Sequence, residues 1–192
     1  MLKNQVEKYL ATQDGSVELP NVMKEYAKQQ GLIEGKDAKV IDSGSLFAQA
    51  YIERGDKETE DFLGKESFDF LEQPITYFKD RKNEFMYIES KWFDLIGVDA
   101  VSFEKDEVFG TYDVMLGLKR QKKLAPAIKV YLEQHLREDG YDLLFDGDEG
   151  IWSLNFALNG LEGYKESLTI KEAFSLIYDF LFRMVESIEQ KQ

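Results

Sequence analysis

The sequence predicts an α+β protein, an antiparallel sheet assembled from hairpins with helices packed on it and a long amphipathic helix at the C-terminal end. Three observations carry this. Residues 141–159, YDLLFDGDEGIWSLNFALN, alternate apolar side chains on either side of a glycine-rich turn, the signature of a hairpin. Residues 106–118 place Val108, Gly110, Tyr112, Val114, Leu116 and Leu118 on alternate positions. From Thr169 onward the period changes, and Phe174, Ile177, Leu181, Met184 and Ile188 recur at helical spacing.

At the start of the chain, Leu2, Val6 and Leu10 recur every fourth residue and predict a helix over 2–11, broken by QDGS. Pro20 suits a first helical turn and Gly31 a stop, so a second helix is expected over about 20–30. These helices form an N-terminal segment, residues 1–35, ahead of a single α+β domain over 36–192. Ser43 or Ser45 then stands as an N-cap before Leu46, Phe47, Ala50 and Tyr51, which share one side of a predicted helix ending at Gly55. Residues 53–72 hold eight acids against three bases, interleaved with Phe62, Leu63, Phe68, Phe70 and Leu71. Interspersed aromatics predict folded helix and loop there.

ITYFKDRKNEFMYIES, residues 75–90, has two apolar runs around a polar DRKN and predicts a hairpin. KWFDLIGVDA predicts a short helix beneath it. For 108–118 strand is the first choice, although Tyr112, Met115, Leu116 and Lys119 also align as a helix begun at Thr111. A further helix is expected from Pro126, with Ile128, Tyr131, Leu132 and His135 on neighbouring turns. The last helix opens with Thr169 and Glu172 at capping-box spacing, each able to satisfy a backbone N–H at the helix start. Its apolar stripe is expected to dock on the sheet.

Composition removes several chemistries. The chain of 192 residues has no cysteine, which rules out disulfides, thiolate nucleophiles and zinc–thiolate sites. A single histidine, His135, excludes paired-imidazole zinc sites. DGDEG, residues 146–150, lacks the glycine and the bidentate glutamate of a calcium loop, since Ile151 and Ala157 stand at those places. No metal site is expected, and no phosphate loop, dinucleotide turn or nucleophile elbow is present. The net charge of −13 repels phosphate backbones and anionic lipid heads, so neither nucleic acid nor membrane is an expected partner. A soluble, cytoplasmic protein is expected, with a protein or small ligand as partner and a homodimer as one arrangement. KRQKK, residues 119–123, is the one dense basic patch and reads either as an anion site or as a solvated boundary that pairs with acidic stretches.

One short phrase carries a likeness to enzymes. In DEVFGTYDVMLG, residues 106–117, Glu107, Phe109, Gly110 and Thr111 match the E-x-F-G-T phrase with which branched-chain aminotransferases of fold type IV hold a cofactor phosphate. Together with SGSLFAQAYIERGDKETEDF and DEVFGTYDVMLGLKRQKK, it makes the chain resemble short bacterial proteins that carry the branched-chain aminotransferase name. That resemblance implies pyridoxal phosphate as cofactor and transamination as the activity. Tyr112 and Asp113 stand where that family has glycine and threonine, and no lysine lies in the K-x-x-G-N-Y context of the Schiff base. The residues themselves point to a non-catalytic binding or interaction module, with no catalytic residue and no cofactor. Gly110, Thr111, Tyr112 and Asp113 are the candidate ligand contacts, because glycine permits close backbone approach while Thr and Tyr offer hydroxyls.

Overall fold

A computed structural model describes residues 2–42, 45–136 and 140–190. Helix α1 (Leu2–Ala11) is followed by strand β1 (Val17–Leu19), helix α2 (Asn21–Gln29) and strand β2 (Ala38–Val40). Strands β3 (Tyr51–Asp56), β4 (Phe62–Lys65) and β5 (Glu84–Glu89) come next, with the single turn of α3 (Tyr77–Asp80) between the last two. Helix α4 (Lys91–Leu95) leads into β6 (Val98–Lys105) and β7 (Tyr112–Leu118). Helix α5 (Ala125–His135), the hairpin β8 (Tyr141–Asp146) and β9 (Ile151–Ala157), and the long helix α6 (Ile170–Gln190) complete the chain.

Strands β3 to β9 form one seven-stranded sheet in the order β4-β3-β5-β6-β7-β9-β8, antiparallel throughout. The expected α+β architecture is what the structure has, including the strand over 112–118 and the hairpin over 141–157. Burial alternates strictly along β7, because successive side chains point to opposite faces of the pleat. Tyr112, Val114, Leu116 and Leu118 are buried on the face toward the helices. In register with Val114 lie Phe103 on β6 and Phe156 on β9. The Phe174 ring of α6 meets the Phe103 ring edge-on at 5.7 Å, so the apolar stripe of α6 docks on the sheet as its period predicted. The Thr169 hydroxyl accepts the Glu172 N–H at 3.2 Å, and the Glu172 carboxylate accepts the Thr169 N–H at 2.8 Å. Those two bonds are the predicted capping box.

The N-terminal segment shares this core. Strand β1 pairs in parallel with β2, Val17 opposite Ala38, and Leu2, Val6, Leu10, Val22 and Met23 belong to the same apolar cluster as the sheet residues.

Three local expectations are corrected. The helix placed over 45–55 is a turn over 46–49 followed by strand β3, while Ser43 lies outside the described residues. Strand pairing decides this segment, with Ile52 opposite Ile88 and Arg54 opposite Met86 on the helix-facing side. The acidic stretch 53–72 is the end of β3, a tight turn, β4 and a short 3-10 segment over Phe68–Glu72. The hairpin expected over 75–90 does not form, because Tyr77–Asp80 is helical and β5 pairs with β3 and β6. Main-chain bonds from Ile75 to Leu168 and from Ile170 to Gln73 hold the 73–75 strand-like segment at the base of α6 instead.

Candidate functional site

The 106–111 segment that resembles the aminotransferase phrase is the turn between β6 and β7. Its geometry begins with Asp106, whose Oδ1 accepts the Phe109 N–H at 2.6 Å, while the Asp106 N–H donates to the Thr111 carbonyl at 2.9 Å. Gly110 sits at φ +67°, in the left-handed region that favours glycine.

The same turn occurs twice more. Between β3 and β4, Asp56 Oδ1 accepts the N–H groups of Glu58 and Thr59 at 2.9 and 3.0 Å, and Glu60 holds the left-handed position at φ +59°. Between β8 and β9, Asp146 Oδ1 accepts the N–H groups of Asp148 and Glu149 at 2.8 and 3.1 Å, with Gly150 at φ +70°. In all three an aspartate opens the turn, its short carboxylate substituting for a backbone acceptor, and the fourth residue after it turns left-handed. A Cβ at Gly110 would meet nothing within 4 Å, so conformation and not close approach calls for glycine there.

The four candidate contacts separate across the sheet. Thr111 donates its hydroxyl to Asp113 Oδ1 at 2.8 Å, and both residues line an open cleft of about 680 Å³ bordered by Asp106, Phe109, Asp142 and Asn155. Tyr112 points the other way, fully buried and stacked on Phe103 at 5.7 Å with the Lys105 ammonium 4.2 Å from its ring centre. Burial pushes its phenol pKa up, and its hydroxyl has no hydrogen-bond partner among the described residues. Gly110 itself does not line the cleft, and its carbonyl accepts the Lys105 ammonium. Burial also raises the Asp113 carboxyl pKa, against the pull of the Thr111 hydroxyl, and the Asp106 charge adds to the rise.

The cleft is one corner of a larger surface. On the sheet face turned away from α6, register aligns Glu53 with Tyr87, Ser102, Met115, Asn155 and Asp142 in one row across six strands. Flanking rows contribute Glu89, Glu104 and Asp113. These side chains are half-buried or exposed. The cations near them are Lys57, 3.4 Å from Glu104, Lys119 on Asp99, and Lys65, 4.9 Å from the centre of the Tyr51 ring. Carboxylates therefore outnumber cations on this face, in keeping with the charge of the whole chain. The helical spacing of Leu46 to Tyr51 conceals strand β3 in the sequence, and with it this face.

The basic patch at 119–123 does not converge on one point. Lys119 turns to Asp99, Lys122 lies 5.5 Å from the Phe145 ring, and the Arg120 guanidinium turns inward onto the carbonyls of Ile96 and Lys119. His135 stacks on Tyr131 at 3.9 Å and bonds through Nδ1 to the Tyr131 carbonyl, a local role on helix α5. Among the described residues no group of three or more His, Asp or Glu is arranged to hold a metal ion. No described helix is long and apolar enough to cross a membrane.

Comparison of the chain with family models, with curated proteins and with solved structures gives no match.

Proposed function

We propose that this protein is a non-catalytic interaction module that binds a basic protein partner through the open face of its sheet. The observation that carries the reading is the set of half-exposed Glu53, Glu104 and Asp113, with exposed Glu89 and Asp142, in neighbouring rows on the face that the helices leave bare. Tyr51, Phe85, Tyr87 and Met115 lie between these acids and supply flat apolar contact area, the mixture that protein interfaces favour. Electrostatic attraction to a positive surface speeds encounter and rejects acidic competitors. Binding of this kind weakens as salt rises, because the pairs at the rim stay accessible to counterions.

The test is affinity capture from native lysate with the wild-type chain and with the double variant Glu53→Lys, Glu89→Lys. A basic protein retained by the first and lost by the second supports the reading. Capture that is indifferent to the double variant, or that returns acidic proteins alone, overturns it.

A second reading follows from the likeness at Glu107, Phe109, Gly110 and Thr111, a pyridoxal phosphate enzyme related to branched-chain aminotransferases. The residues around the turn do not suit the cofactor. A phosphate beside Thr111 would face the carboxylates of Asp106, Asp113 and Asp142 across the cleft, and the Thr111 hydroxyl is already committed to Asp113. The Lys105 ammonium is held on the Gly110 carbonyl, over a ring that faces the core. A borohydride-trappable adduct of pyridoxal phosphate at a single lysine would establish this enzyme reading in place of the first.

A further inference from the structure

Resting on the reading of the open face as a docking surface for a basic protein, the geometry points to edge strand β8 as the place where that partner adds a strand of its own. Strand β8 ends the sheet beyond β9, and its register runs without a bulge from Tyr141 opposite Phe156 to Asp146 opposite Ile151. Every second residue of such a strand turns its N–H and C=O away from its one neighbour, leaving a template for another chain. Edges are ordinarily blunted by charged side chains, lysine above all, or by proline, a bulge or shortness. The opposite edge, β4, is blunted in this way, being four residues long with a register shift facing Arg54 and Gly55 and with Lys65 at its end. Strand β8, YDLLFD, has no lysine, proline or bulge and runs to six residues; its charged residues are Asp142 and Asp146, which repel acidic strands and leave the edge open to basic ones.

Charge selects the occupant. On the open face β8 displays Asp142, Leu144 and Asp146, all exposed, with Leu144 at 71% of its full accessibility. Their cross-strand neighbours on β9 are Asn155, Ser153 and Ile151, and no described cation pairs with either aspartate. A second copy of β8 laid antiparallel about Leu144 would set Asp142 against Asp146 twice, and like charges directly opposite are destabilising. An incoming strand with Lys or Arg opposite both aspartates and a β-branched or apolar residue opposite Leu144 meets the pattern instead. The occupant is therefore an extended basic segment of the partner, alternating cation, spacer, apolar residue, spacer, cation.

The probe is a capped peptide of about six to ten residues, the span of an ordinary strand, built around Lys-Thr-Val-Thr-Lys. Expected are saturable binding, slowed amide exchange at β8, and affinity reduced at least ~10-fold by Asp142→Lys or Leu144→Lys, both at exposed positions. The same peptide with Glu for Lys, or with N-methylated backbone at alternate residues, is expected not to bind. Absence of binding, binding that leaves β8 amides unprotected, or affinity unchanged in both variants overturns the assignment. So does a concentration-dependent dimer in sedimentation that Leu144→Lys disperses, since the occupant would then be a second copy. A captured basic partner lost with Glu53→Lys, Glu89→Lys but kept with Asp142→Lys and Leu144→Lys leaves the docking face standing and removes the edge. A partner indifferent to all four removes both.

Discussion

The Glu189 carboxylate accepts the Leu2 N–H on both oxygens, at 2.8 and 2.6 Å, and so ties the first turn of the first helix to the last turn of the last one. An anion disfavours the C-terminal end of its own helix but is favoured at the N-terminal end of another, so α1 supplies what α6 withholds. Arg120 lies 3.8 Å away with its guanidinium largely buried, and it also donates to the Ile96 and Lys119 carbonyls. A Cβ at Gly97 would collide with Arg120 Nη1, so that glycine makes the room. Arg120→Ala leaves two carbonyls without their donor and a half-buried carboxylate without its cation, and is expected to cost about 3 kcal/mol. Glu189→Gln keeps an acceptor for Leu2 and is expected to cost about 1 kcal/mol. Urea titration of both variants checks the order, which fails if Glu189→Gln is the more damaging.

Glu60 occupies the left-handed position that Gly110 and Gly150 occupy in the two sister turns. A side chain there crowds its own carbonyl, at roughly 1 kcal/mol. Glu60→Gly is therefore expected to raise stability by about 1 kcal/mol, offset in part by the greater freedom of glycine in the unfolded chain. Gly110→Ala and Gly150→Ala are expected to lower it by a similar amount. Thermal midpoints of the three variants decide the matter, and a destabilised Glu60→Gly would show that the turn gains more from its side chain than it loses in strain.

Why β3 escaped the sequence while β9 did not is visible in Arg54. Read with a period of two, the helix-facing positions of β3 are Ile52, Arg54 and Asp56. A cation in that row hides the alternation unless its partners are known, and these are Glu66 at 2.7 Å and Glu84 at 2.6 Å, from other parts of the chain. The pairing of β5 is hidden for a related reason, since it joins β3 some thirty residues earlier across the inserted β4 and α3. Where pairing is local, as in β8 with β9, and where a cap and a stripe coincide, as in α6, sequence sufficed. For the candidate contacts, one-residue alternation sends Thr111 and Asp113 to the cleft and Tyr112 to the core, a distinction that needs the parity of β7 to be fixed.

Glu172 gives the capping box a dependence on pH. The Thr169 N–H first, and its hydroxyl second, hold this carboxyl below the ordinary glutamate range. A depressed folded pKa contributes stability above the unfolded value, about 4.3, that is lost as pH falls through the folded value. Thr169→Ala is expected to cost about 1 kcal/mol at neutral pH. Glu172→Gln is expected to cost less than that at pH 7 and to match wild type once the native carboxyl is protonated. Unfolding midpoints from pH 7 to about 2 test this, and a gap between wild type and Glu172→Gln that stays constant with pH would remove the carboxylate from the cap.

Asp113 has the opposite sign. Its carboxyl is pushed up by burial, so the ionised group opposes folding at neutral pH and ceases to do so as pH falls through its raised folded value. Asparagine keeps an oxygen for the Thr111 hydroxyl without the charge. Asp113→Asn is therefore expected to gain about 0.5 kcal/mol at pH 7, a small gain because the group keeps contact with solvent, and to lose the advantage in acid. The same substitution removes one carboxylate from the docking face and is expected to weaken a basic partner. Stability and binding would then move in opposite directions on one substitution, as when a surface keeps a costly charge for recognition. A variant that gains stability and binds the partner as well as wild type would show that Asp113 lies outside the contact.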